Sequence, residues 1–140
     1  MAKGDETPFE IGYDPPAAKL LGRKIVRIDR ENKTTELSFD PSPDLMNRHG
    51  GLQGGFASAL LDGAMGQALM PHIEKGQKTT TLEIKTSFLA PIPFGNLTAI
   101  GRVLRQGRSV AFVEAELRAG DEVCARSSAT MRIITPKVSE

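Results

Sequence analysis

Between Arg48 and Glu74 the chain carries one formal charge, Asp62, in a stretch otherwise dominated by glycine, alanine and large apolar residues. The segment Asn47 to Met70, NRHGGLQGGFASALLDGAMGQALM, begins as a polar, glycine-rich turn and continues from Gln53 or Gly54 as the one long helix candidate, which Pro71 ends. Phe56, Leu60, Leu61, Ala64, Met65, Ala68 and Leu69 put bulk around most of its circumference. Gly55, Ala59, Gly63 and Gly66 form a stripe of small residues at helical spacing, with Ser58 and Asp62 beside it. A helix apolar nearly all round is a buried helix, and a small-residue stripe admits a neighbouring backbone or a ligand. A carboxylate in such surroundings is costly unless it has a partner or a task.

The flanking chain reads as strands. Lys24 to Asp29 and Thr34 to Phe39 are short strand candidates separated by the turn Glu31-Asn32-Lys33, and Asp40-Pro41-Ser42-Pro43 stops the second. After Gln77 the period becomes two. Thr80, Leu82, Ile84, Thr86 and Phe88 alternate with Thr79, Thr81, Glu83, Lys85 and Ser87, which predicts a half-buried strand with Thr81 on its more polar face. A bend at Ala90 to Gly95 leads into Leu97 to Arg105, a turn at Gln106-Gly107, a strand carrying Ala111, Val113, Ala115 and Leu117 on one face, a turn at Gly120-Asp121, and a last strand to Ile133. Short turns make the last four strands antiparallel. The order predicts an α+β fold: one long helix wrapped by a curved antiparallel sheet of about five to six strands. Residues 1–16 read as an N-terminal arm, 17–135 as a single domain and 136–140 as a tail.

Composition narrows the function. A net charge of +1 gives no overall attraction to nucleic acid or anionic membrane, and six Phe, one Tyr and no Trp offer few stacking platforms. The single cysteine, Cys124, cannot form an internal disulfide, and Cys124, His49 and His72 lie too far apart in sequence to predict a metal site. Met1 to Glu6 has no apolar signal core, and the run Phe56 to Met70 is too short to span a bilayer, so the expected location is the cytoplasm. Gly50 and Gly55 have the spacing of a phosphate-binding loop, but Phe56 stands where its lysine belongs. Ser58, Asp62 and a histidine would make a triad only on paper, since no histidine is placed between them.

The segment resembles the hot dog-fold acyl-CoA thioesterases of the phenylacetate-degradation (PaaI-like) group. Their signature is an Asn, then His-Gly-Gly at the start of the central helix, then an Asp two turns on. Asn47, Gln53-Gly54-Gly55 and Asp62 match it at the family spacing, with Gln53 in place of the histidine. Downstream, TLEIKTSFLAPIPFGNLTAIGRVLRQGRSVAFVEAEL is similar to the family's strand pattern, with Thr81 opening the strand, Phe88 to Pro91 ending it, Gly95 in the bend and Gly107-Arg108 at the hairpin.

The resemblance implies hydrolysis of an acyl or aryl-acyl thioester to the acid and free coenzyme A, with coenzyme A entering as part of the substrate and no separate cofactor. It assigns the Gly54 amide to the oxyanion, Asp62 to attack on the carbonyl or activation of water, and Asn47 to the substrate carbonyl or that water. Gln53 would brace the loop, and Thr81, with Thr80 as fallback, would hold the water or Asp62. Arg48, Arg105 and Arg108 are candidates for the coenzyme A phosphates. It further implies a homodimer or a tetramer built as a dimer of dimers, with each site shared across the dimer interface. Glutamine can donate and accept hydrogen bonds but cannot take a charge. A non-catalytic acyl-CoA binding or sensing module of the same fold is therefore the competing reading.

Overall fold

The computed structural model describes residues 14–137; most of the arm expected over 1–16, and residues 138–140 of the tail, lie outside the described residues. A short helix α1 (Pro16–Leu20) precedes strands β1 (Lys24–Asp29) and β2 (Thr34–Phe39). A 3-10 turn at Pro43–Leu45 leads to the long helix α2 (Gly54–Leu69), and a second at Met70–His72 leaves it. Strands β3 (Lys78–Phe88), β4 (Leu97–Gln106), β5 (Val110–Ala119) and β6 (Glu122–Ile134) complete the domain. The six strands form one antiparallel sheet in the order β1-β2-β4-β5-β6-β3, wrapped around α2 in a hot dog fold.

Only one side of α2 is buried by this wrapping. Ala57, Leu60, Leu61, Ala64, Met65, Ala68 and Leu69 are fully buried against Leu37, Phe39, Leu97, Ala99, Val113, Leu117 and Met131. The small-residue stripe points elsewhere. Gly63 and Gly66 are partly exposed, and a Cβ built on either meets nothing within 4 Å, so packing within the chain does not require them to be glycine. The glycine that admits the helix is Gly101 on β4, where an added Cβ would stand 2.4 Å from the Ala64 carbonyl oxygen and 3.1 Å from Ala68 Cβ. Backbone meets backbone there, which sets how deep α2 sits in the sheet.

Strand β3 departs from the expected alternation. Its register with β6 runs Thr79↔Ile133 and Thr81↔Met131, then shifts so that Ile84 pairs with Ala129, Thr86 with Ser127 and Phe88 with Ala125. Leu82 is the extra residue of this β-bulge and is 58% exposed. The concave face of β3 therefore carries odd-numbered residues before the bulge and even-numbered residues after it. Thr81, read from the alternation as outward, turns toward the helix, and Thr80 is exposed.

Past the C-terminal end of α2, His72 accepts a hydrogen bond at its carbonyl from Gln106 Nε2 at 2.8 Å, tying the β4–β5 hairpin to that end of the helix. Partial burial, together with the charges of Lys33 and Arg30, lowers the His72 pKa from its ordinary value.

Two outcomes follow for stability. Gly101→Ala pushes a methyl into the Ala64 carbonyl and is expected to cost about 1–3 kcal/mol, read as a lower urea midpoint at unchanged slope. For His72, the unfolded chain binds its proton near pH 6.5 and the folded chain only at lower pH. Its contribution is complete above pH 6.5 and is lost as pH falls from there through the folded-state value. Stability curves for His72→Gln are expected to be flatter than wild type over that interval.

Candidate active site

The loop before α2 is built by its backbone and by Asn47. Asn47 Oδ1 accepts from the amides of His49 at 2.8 Å and Gly51 at 3.1 Å, and Asn47 N donates to the Gly51 carbonyl at 2.7 Å. Asn47 Nδ2 reaches the Leu52 carbonyl at 3.5 Å. The loop is fastened to the bend after β3 by Leu52 N donating to the Ile92 carbonyl at 3.0 Å. A Cβ on Gly51 would lie 2.5 Å from that same carbonyl, so glycine is obligatory at the seam. Asn47 thus braces this loop, and the Gln53 side chain lies over the first turn of the helix, its Oε1 3.0 Å from where a Cβ on Gly55 would stand. Gln53 itself is exposed, and its side chain does not cap the helix.

What Gln53 does contribute is backbone. It is the extended residue before α2, with φ −67° and ψ 136°, and its carbonyl accepts from the amides of Phe56 at 2.9 Å and Ala57 at 3.1 Å. The amides of Gly54 and Gly55 have no carbonyl a turn earlier to bond and stand at the positive end of the helix dipole. The Phe88 ring lies beside Gly54, 3.4 Å from where its Cβ would be, and is 53% exposed. An oxygen bound by the Gly54 amide would have an aromatic ring next to it.

Asp62 follows two turns later, half-buried on the side of α2 that faces β3. Thr81 Oγ1 donates to Asp62 Oδ1 at 2.7 Å. The bond commits one carboxylate oxygen and fixes the rotation of the group. Between Gly54 and Asp62, Ser58 Oγ donates to Thr86 Oγ1 at 3.0 Å, and Thr86 Oγ1 shares a 2.7 Å hydrogen bond with Ser127 Oγ. Ser58, read as a paper nucleophile, is therefore part of a hydroxyl chain that the sequence does not mark. Its only trace was that Thr86 fell on the apolar side of the β3 alternation.

Eight residues of α-helix separate Gly54 from Asp62, about 12 Å along the axis. The amide and the carboxylate of one chain cannot both reach one carbonyl group. Nor does one chain assemble the three arginines. Arg48 is exposed in the loop before α2, whereas Arg105 and Arg108 are exposed at the β4–β5 hairpin, at the other end of a helix about 24 Å long.

The thioesterase superfamily profile matches residues 49–125, more than half of the chain, from the loop before the helix into β6. A crystal structure from Ralstonia eutropha JMP134, described as a provisional thioesterase related to phenylacetic acid degradation, is 31% identical, with a TM-score of 0.82, over 84% of this chain and 89% of its own. A protein of Saccharolobus solfataricus provisionally named an esterase is 28% identical over 121 residues, 86% of this chain and 84% of the relative. The PaaI protein of the E. coli phenylacetic acid degradation operon, at 22% identity, shares the fold with a TM-score of 0.77 over 90% of this chain and 89% of its own. The chain belongs to the thioesterase superfamily, as a hot dog-fold, PaaI-like thioester hydrolase. No helix among the described residues is long and apolar enough to cross a membrane.

Proposed function

We propose that the protein hydrolyses acyl-coenzyme A thioesters at sites built from two copies of the chain, Gly54 of one subunit meeting Asp62 of the other. The observation that carries this reading is the separation of amide and carboxylate along α2. A second copy running antiparallel brings each carboxylate to the other chain's helix start. Two further features favour that partner. β3 ends the sheet, so one of its edges is unpaired, and Ile84, Phe88 and Leu89 on or next to it are 37%, 53% and 58% exposed. The bare side of α2 with Gly55, Ala59, Gly63 and Gly66 offers a close approach to another backbone.

In the proposed reaction the thioester carbonyl oxygen accepts from the Gly54 amide, and charge accumulates on it as the carbonyl becomes tetrahedral. Asp62, oriented by Thr81, takes a proton from water as the water oxygen bonds to the carbonyl carbon. The C–S bond then breaks, the thiolate leaves and is protonated, and the carboxylic acid remains. Direct attack by Asp62 through a mixed anhydride uses the same groups and is resolved by the second water. The Asn47 amide nitrogen, beside the loop, is left to orient carbonyl or water. Arg48 of one subunit and the hairpin Arg105 and Arg108 of the other are the cations offered to coenzyme A phosphates.

A panel of acyl and aryl-acyl coenzyme A thioesters, assayed for thiol release, is expected to contain a substrate whose turnover Asp62→Asn abolishes. Tight binding of the panel without turnover would instead identify a binding module. Gly54→Pro deletes the amide hydrogen at a first-turn position that tolerates proline, after a residue already extended. It is expected to lower kcat by about 100- to 1,000-fold. Mixing the two inactive variants under subunit exchange should restore roughly a quarter of wild-type activity, because each mixed dimer keeps one complete site. A site contained within one chain would restore none.

A further inference from the structure

We infer that the hydroxyl chain Ser58–Thr86–Ser127 is a positioning device for Asp62; this rests on the reading of Asp62 as the catalytic carboxylate. Among the described residues strand β3 has a single strand neighbour, β6, and a bulge at Leu82 interrupts its register. Thr81, whose hydroxyl holds Asp62, stands immediately before the bulge, where the register of β3 against β6 changes. A change of register at that point makes a second contact between strand and helix useful for holding Thr81 in place.

The hydroxyl chain makes that contact from three elements at once. Ser58 belongs to α2, one turn before Asp62; Thr86 belongs to β3 beyond the bulge; Ser127 belongs to β6, is 5% exposed and is the register partner of Thr86. Helix, edge strand and inner strand are thus tied at one point. Thr81–Asp62 then closes a second tie between the same helix and strand, on the other side of the bulge. With two ties, a slip of β3 along α2 that would carry Thr81 away from Asp62 must also break the Ser58–Thr86 bond. With the Thr81 tie alone, only the bond to the carboxylate opposes that slip.

Proton counting accounts for the residue types. Ser58 gives its proton to Thr86, and a single proton serves the Thr86–Ser127 bond, so every member both fits and needs an oxygen neighbour. Valine at Thr86 keeps the shape and strands two hydroxyls. Serine keeps the hydroxyl and removes only a methyl.

The test compares Thr86→Val, Thr86→Ser and Thr81→Val, singly and as the Thr81→Val/Thr86→Val double variant, by steady-state kinetics at a temperature where all are folded. Thr86→Val is expected to lower kcat by between about tenfold and 100-fold with KM little changed, and Thr86→Ser to recover most of the loss. The double variant should be little worse than the poorer single one, since both act on the same carboxylate. Amide exchange at Thr81 to Glu83 should rise in Thr86→Val, a readout independent of turnover. Wild-type kcat in Thr86→Val, losses that multiply in the double variant, or exchange at Thr81 to Glu83 unchanged from wild type would overturn the inference. If Asp62→Asn retains turnover, it is the reading of Asp62 that fails; if Asp62→Asn is inactive while Thr86→Val is not impaired, only the positioning role does.

Discussion

The architecture depends on a backbone contact. Helix α2 lies against the concave sheet with the Ala64 carbonyl pressed to Gly101 of β4, closer than any side chain would allow. That depth buries one side of the helix completely and leaves the other as the floor of an open face. Gly54, Ser58 and Asp62 follow one another at four-residue spacing along the side toward β3. The packing that stabilises the domain thereby also sorts the helix into a buried half and a half that carries the polar candidate residues. Gly63 and Gly66 belong to the second half, and an added Cβ on either meets nothing within 4 Å among the described residues.

The second constraint is the bulge at Leu82. Regular alternation through β3 would turn Leu82 inward with Ile84, Thr86 and Phe88, a gain of about 1.5–3 kcal/mol for a fully buried leucine. The same register would turn Thr81 out and remove its hydrogen bond to Asp62, a charged interaction of about 1.5–3 kcal/mol. These terms are similar in size. The balance tips because an unpartnered, half-buried carboxylate adds its own desolvation cost. An exposed leucine is thus the counterpart of a hydrogen-bonded aspartate, and the strand gives up apolar burial where Asp62 takes a hydroxyl partner.

The loop 47–53 shows a similar division of labour. Asn47 spends its acceptor on two loop amides, which shapes the turn that delivers the Gly54 amide to the helix start. Gln53, where the family places a histidine, starts the helix through its carbonyl and backbone angles, while its side chain lies over Gly55 without capping the helix. The backbone at the start of α2 thus depends on a carbonyl and on angles that glutamine and histidine can both supply.

Much was legible in the sequence because it depends on local pattern. Proline and glycine punctuation and the change of period marked the long helix and the six strands, and short turns made the sheet antiparallel. Asp62 stood out because charge in an apolar helix needs a reason. What the sequence could not display was non-local. The inward turn of Thr81 follows from a register shift against β6, about 50 residues away in the chain. The need for glycine at Gly101 follows from the Ala64 carbonyl on another element. The hydroxyl chain exists only where three elements meet. Local periodicity determined which elements form and which residue is the candidate catalytic carboxylate; tertiary packing decided which side chains those elements present to it, because register and backbone approach are set between segments, not within them.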